Sequence, residues 1–63
     1  MPQVRVNTPG MASTDPGYIS SITVRTGGAA SVLTPNATTG EVTMDAEAAS
    51  KLCQMYSRFL VVS

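Results

Sequence analysis

The run DAEAASKLCQMYSRFLVV, Asp45 to Val62, constrains this chain more than any other stretch. Asp45 stands where its carboxylate can accept the unpaired amide hydrogens of a first helical turn. Glu47 adds negative charge beside the positive end of the helix dipole, and Ala46, Ala48 and Ala49 are strong helix formers. Met44 and Ala49 occupy the positions of a hydrophobic staple. Ala48, Ala49, Leu52, Met55, Tyr56 and Phe59 recur at helical spacing on one face. Glu47, Ser50, Lys51, Gln54 and Arg58 make the opposite face, where Glu47 and Lys51 form a favourable i,i+4 pair. The helix should end near Tyr56 or Ser57, because Phe59-Leu60-Val61-Val62 has the composition of a strand. A helix with an apolar stripe and a strand with four apolar residues both need partners. The rest of the chain must supply strands for them.

It does so in short pieces. Gln3 to Asn7 alternates polar and apolar residues, which predicts a half-buried strand with Val4 and Val6 inward. Thr8-Pro9-Gly10 ends it, and Thr8 to Gly17 reads as an irregular loop or arm with a turn at Asp15-Pro16-Gly17. Tyr18 to Thr26 is rich in β-branched residues and predicts a second strand. Ile22 and Val24 share one face and Ile19 the other, so Ser20-Ser21 marks a bulge or a strand touched on both sides. Gly27-Gly28 can supply the positive φ angles of a tight hairpin turn, with Ala29 to Thr34 returning. Pro35-Asn36 and Thr39-Gly40 bracket another turn, and Glu41 to Met44 is a short strand with Val42 and Met44 inward. The expected fold is α+β. It is one small domain over residues 1–63, an antiparallel β-sheet or partial barrel carrying one C-terminal helix followed by a final strand.

A chain of 63 residues buries only ~60% of the surface that its unfolded form exposes. Small scaffolds often add disulfides, a metal or a partner. With one cysteine and no histidine, an internal disulfide is impossible, and one thiol with four carboxylates is a poor zinc set. A partner is the expected support. Net charge is zero, and only 13% of residues are charged, about half the usual share. Such a surface resists association poorly. The four basic residues, Arg5, Arg25, Lys51 and Arg58, are scattered, which argues against nucleic-acid binding. No apolar run reaches the ~20 residues of a membrane helix, so no membrane is expected. The first residues, MPQVRVNTPG, lack the basic start and apolar stretch of a signal peptide. Synthesis in a reducing cytoplasm is therefore expected.

Chemistry is equally sparse. Cys53 is the one obvious nucleophile, but it has no histidine to act as base and sits mid-helix, away from the positive end. It reads as a small packing residue. Asp45 and Glu47 are accounted for by the helix start, and Asp15 by a Pro-Gly turn. Gly27-Gly28 lacks the further glycines, lysine and following helix of a phosphate loop. Tyr18, Tyr56 and Phe59 are the only aromatics, and without a basic groove they read as core or protein-contact residues rather than as base-stacking platforms. Asn36-Ala37-Thr38 matches a glycosylation acceptor, which without a signal peptide is accidental. No catalytic residue, cofactor or metal is expected, and the chain is not expected to be an enzyme.

An initial PQVRV strand, a glycine-punctuated β middle, GEVTMDAEAASKL and a closing FLVV strand together resemble small accessory virion proteins of tailed bacteriophages, over Gly40 to Val62 and the first strand. Where similar proteins place a glycine between helix and last strand, this chain has Ser57-Arg58. The resemblance implies a virion structural protein, made in the host cytoplasm. It would be a capsid decoration or cement subunit that holds the coat lattice together by subunit–subunit contacts. A head–tail connector component and a free-standing protein-binding module or regulator are the alternatives. The expected partners are the major capsid protein, other virion subunits or further copies of the chain. The expected contacts are Pro9, Met11 and Tyr18 in the 8–17 segment and at its end, ordering on assembly. With them come Tyr56, Phe59, Leu60, Val61 and Val62 at the C-terminal strand, pairing across a subunit boundary.

Overall fold

A computed structural model describes residues 1–63, with every side chain except that of Thr26. The element order is β1 (Gln3–Arg5), β2 (Ile22–Thr26), β3 (Ala29–Leu33), β4 (Glu41–Thr43), α1 (Ala46–Met55) and β5 (Leu60–Val61). The class is mixed α+β, as the sequence pattern implies. The strands divide between two small antiparallel sheets: a three-stranded one in the order β4-β1-β5, and the β2-β3 hairpin.

The helix follows its local chemistry. Asp45 caps it: the Ala48 N–H donates to Asp45 Oδ1 at 2.7 Å. Glu47 and Lys51 form an ion pair at 3.1 Å between two exposed side chains. Pairs of this kind contribute a few tenths of a kcal/mol. The helix closes at Tyr56, whose N–H still donates to the Leu52 carbonyl at 2.9 Å. At this end of the helix Met55 is 69% exposed and Tyr56 48%. The apolar stripe expected to run from Ala48 to Phe59 therefore stops at Leu52 and Cys53, both half-buried against the core.

Val4, Val6, Val24, Val42, Met44, Ala48, Ala49 and Phe59 form that core. It lies between the inner face of the three-stranded sheet, the root of the hairpin and the helix. Val4 pairs with Val42 on one side and Val61 on the other, so these three share the inward face. Arg5 pairs with Glu41 and Leu60, a row on the outer face.

The β2-β3 hairpin turns at Gly27-Gly28, with φ of +59° and +86°. These values suit the tight turns whose twist matches the strands. Its register runs from Ile22↔Leu33 to Thr26↔Ala29. Val24 is buried at its root, whereas Ala29, Ala30, Ser31 and Val32 on the return strand are all exposed. The hairpin projects from the body, and the molecule measures 33 × 20 × 19 Å.

Tyr18 to Ser21 is not a strand. A side chain takes the place of a ladder there. The Ile19 N–H donates to Asn7 Oδ1, and Asn7 Nδ2 donates back to the Ile19 carbonyl, each at 2.9 Å. Asn7 is 4% exposed, and this reciprocal pair satisfies its amide while fixing the start of the second β segment. The phase slip at Ser20-Ser21 has its cause here: the chain is clamped at Ile19 and enters the sheet register only at Ile22.

Candidate functional site

Four exposed large apolar side chains, Tyr56, Leu60, Val61 and Val62, lie in β5 or next to it in sequence, while Met1, Val32 and Met55 are exposed elsewhere. This strand sits at the edge of its sheet, with β1 on one side and no strand on the other. The Val62 N–H donates to the Gln3 carbonyl at 2.8 Å. In an antiparallel ladder successive residues point their backbone groups alternately to the two sides, so the N–H and C=O of Val61 face the open edge. Leu60 is 56% exposed, Val61 54% and Val62 36%. Val61 lies on the core-facing side of the sheet and is uncovered because the sheet stops there.

Behind the strand, Arg58 joins three parts of the fold. Its Nη2 donates to the Val6 carbonyl at 3.2 Å and the Gly17 carbonyl at 3.0 Å, and its guanidinium lies 5.8 Å from the centre of the Phe59 ring. Grooves open on either side of it. Pro9, Met11 and Leu60 line one, together with Arg5 and Arg58. Tyr18, Tyr56 and Phe59 line the other, together with Ile19 and Ile22. The Tyr56 and Phe59 rings stand 4.9 Å apart at 33°.

The eight expected contact residues therefore surround one turn. Seven of them present surface: Pro9, Tyr56, Leu60, Val61 and Val62 are exposed, and Met11 and Tyr18 half-buried. Phe59 is different. At 5% exposure it belongs to the core of its own chain. The Tyr56 carbonyl accepts the Phe59 N–H at 3.0 Å, and this tight turn swings the ring inward.

The 8–17 segment is an irregular loop, as its sequence implies, but it is not a loose arm. The Gly10 N–H donates to the Thr38 carbonyl, the Met11 N–H to the Thr8 carbonyl and the Tyr18 N–H to the Asp15 carbonyl. The Asp15 carboxylate accepts from the Ala12 N–H at 3.1 Å, and Arg58 holds the far end. These bonds tie the segment to Thr38, to Arg58 and to itself within one chain.

Three residues that position this site lie outside the sequence expectations. Asn7 and Arg58 act through backbone carbonyls and amides far away in sequence, which no spacing rule reveals. Gly40 has φ +72°, and a β-carbon there would fall on the Asn7 carbonyl oxygen, with the carbonyl carbon 2.8 Å away. The Gly40 carbonyl accepts from the Val6 N–H at 2.8 Å and the Asn7 N–H at 3.2 Å. Its place in the turn bracket was legible; its contact with Asn7 was not.

Cys53 is a half-buried free thiol. Among the described residues no helix is long and apolar enough to cross a membrane. Compared with family models, curated proteins and solved structures, the chain matches none of them.

Proposed function

We propose that this chain is a structural subunit of a tailed-bacteriophage virion, a capsid decoration or cement protein that stabilises the coat lattice by binding across subunit boundaries. The observation that carries this role is the uncovered final strand. Leu60, Val61 and Val62 place apolar side chains and an unpaired backbone edge on the surface of a chain with only 13% charged residues. Natural proteins ordinarily blunt such an edge with charge, proline or a cover. Here the edge itself is apolar, which suits a surface that a neighbour covers. The projecting hairpin, with exposed Ala29, Ala30 and Val32, offers a second contact of the same character. Many copies in a symmetric lattice add weak contacts into a strong attachment.

The partners are the major capsid protein and other virion subunits, and the working location is the particle. Quantitative mass spectrometry of purified virions tests the role. Hundreds of copies, in a fixed ratio to the major coat protein, are expected. About six or twelve copies would place the chain at the head–tail junction instead. Absence from the particle, together with a stable monomer by sizing and circular dichroism, would overturn the virion role in favour of a free-standing binding module.

A further inference from the structure

Two guanidinium groups line one shallow groove of about 310 Å³ where the end of β1 meets the start of β5. Arg5 and Leu60 come from the outer face of the sheet, Arg58 from the turn before β5, and Pro9 and Met11 from the loop. The positive charge is incompletely answered from within. Arg58 uses Nη2 on two neutral carbonyls, and among the described residues its guanidinium has no carboxylate within ion-pair distance. Arg5 meets Glu41 at 3.8 Å, the outer limit of an ion pair. Its Nε is buried with no hydrogen-bond partner among the described residues. The other carboxylates are engaged elsewhere: Asp45 caps the helix, Glu47 pairs with Lys51, and Asp15 accepts from Ala12.

We infer that this groove holds an acidic side chain of an extended segment from a neighbouring protein chain, laid along the open edge of β5. The segment would bond to the outward N–H and C=O of Val61, as in strand addition to a free edge. Side chains of adjacent strands that share a face lie ~5 Å apart. One residue of the segment therefore stands beside Leu60, two strand spacings (~10 Å) from Arg5, and its side chain must reach across Leu60 to enter the groove. A carboxylate there reaches donors suited to it, since guanidinium–carboxylate pairs are short, strong and directional. Leu60, Met11 and Pro9 offer apolar surface to the residues flanking it. A second copy of this chain is a poor source of the segment. Its acidic edge strand, β4, is partly covered, because the Glu41 carbonyl already accepts the Asn36 N–H at 2.9 Å. A nucleic-acid strand is disfavoured by Glu41 beside Arg5 and by the zero net charge. The inference rests on the virion role only for where the neighbour is found; the chemistry of the groove does not depend on it.

Selection of short random peptides displayed against the full chain tests it. Enrichment of one Asp or Glu between β-branched or aliphatic residues is expected. By fluorescence anisotropy, the enriched peptide should bind on the order of tenfold more tightly than its amide (Asn or Gln) counterpart, the worth of one charge-assisted pair. Arg5→Gln should remove that preference, and Arg5→Glu should turn it toward basic peptides, both with an unchanged circular dichroism spectrum. Arg5 is chosen because Arg58 also holds the backbone. Enrichment without an acidic position, equal binding of the amide counterpart, or no enrichment would overturn the inference. So would self-association that excludes the peptide, or a single-stranded oligonucleotide bound in its place. None of these outcomes alters the copy number in particles, so the groove and the virion role fail separately.

Discussion

Replacing Gly40 by alanine should unfold much of the protein, although the change adds one methyl group at a turn. The backbone is in the left-handed region, at φ +72°, which costs a residue with a β-carbon ~1–2 kcal/mol. The larger effect is steric. The new methyl group would occupy the place of the Asn7 carbonyl, and backbone cannot swing aside as a flexible side chain can. Relief requires β1 and the turn to separate. That breaks the bonds from Val6 and Asn7 to the Gly40 carbonyl, and it strains the Gly40 N–H bond to Asn36, which measures 2.8 Å. At ~1 kcal/mol for each hydrogen bond, the loss totals ~3–5 kcal/mol. Domains retain ~0.05–0.15 kcal/mol of stability per residue, so a chain this small holds only ~3–9 kcal/mol. Gly28→Ala is the control: φ is +86°, and a β-carbon there meets nothing within 4 Å, so only the conformational cost applies. Urea unfolding followed by circular dichroism measures both, with stability taken by linear extrapolation. Equal destabilisation by the two substitutions, within ~1 kcal/mol, would refute the steric reasoning.

Three further outcomes follow from the packing. Asn7→Ala leaves the amide and carbonyl of Ile19 without partners and should cost ~2–4 kcal/mol in the same urea assay, with the Ile19 amide losing protection from hydrogen exchange. Phe59→Ala should cost ~3–5 kcal/mol, whereas Leu60→Ala should change the isolated chain by less than ~0.5 kcal/mol; similar costs would mean that the surface and core assignments of these neighbours are wrong. Arg58→Ala removes the bond that holds Gly17, at the far end of the 8–17 loop, and the one to Val6 just before it, so limited proteolysis should cut within residues 8–17 several-fold faster while the helix remains intact by circular dichroism.

How legible these features were depended on how far apart in sequence their parts lie. The helix could be placed to within one or two residues, because Asp45, the alanines and the i,i+4 pair act within one or two turns. The hairpin was equally local, since Gly27-Gly28 sets both turn and register. The inward faces of β1 and β4 followed from alternation at Val4, Val6, Val42 and Met44. What failed to show were interactions between a side chain and distant backbone. Asn7 reaches across twelve positions to Ile19, and Arg58 across fifty-two to Val6. Neither leaves a periodic trace. Phe59, expected as a contact of the final strand, is core because the turn after Tyr56 swings it inward, and Met55, on the apolar stripe, is exposed at the helix end. At the candidate site the apolar character of Leu60-Val61-Val62 was plain from composition. That the strand lies at an edge, with the Val61 N–H and C=O turned to the open side, depended on its register with β1.

The central claim is that a neighbouring subunit covers the open edge of β5. Hydrogen exchange at the Val61 amide, resolved by fragmentation mass spectrometry, tests it most directly when the isolated chain is compared with the chain in purified particles. The expected result is fast exchange in the isolated chain, because that N–H faces solvent, and strong protection in the particle. Fast exchange at Val61 in chain that is firmly particle-bound, or slow exchange in the isolated monomer, would contradict it.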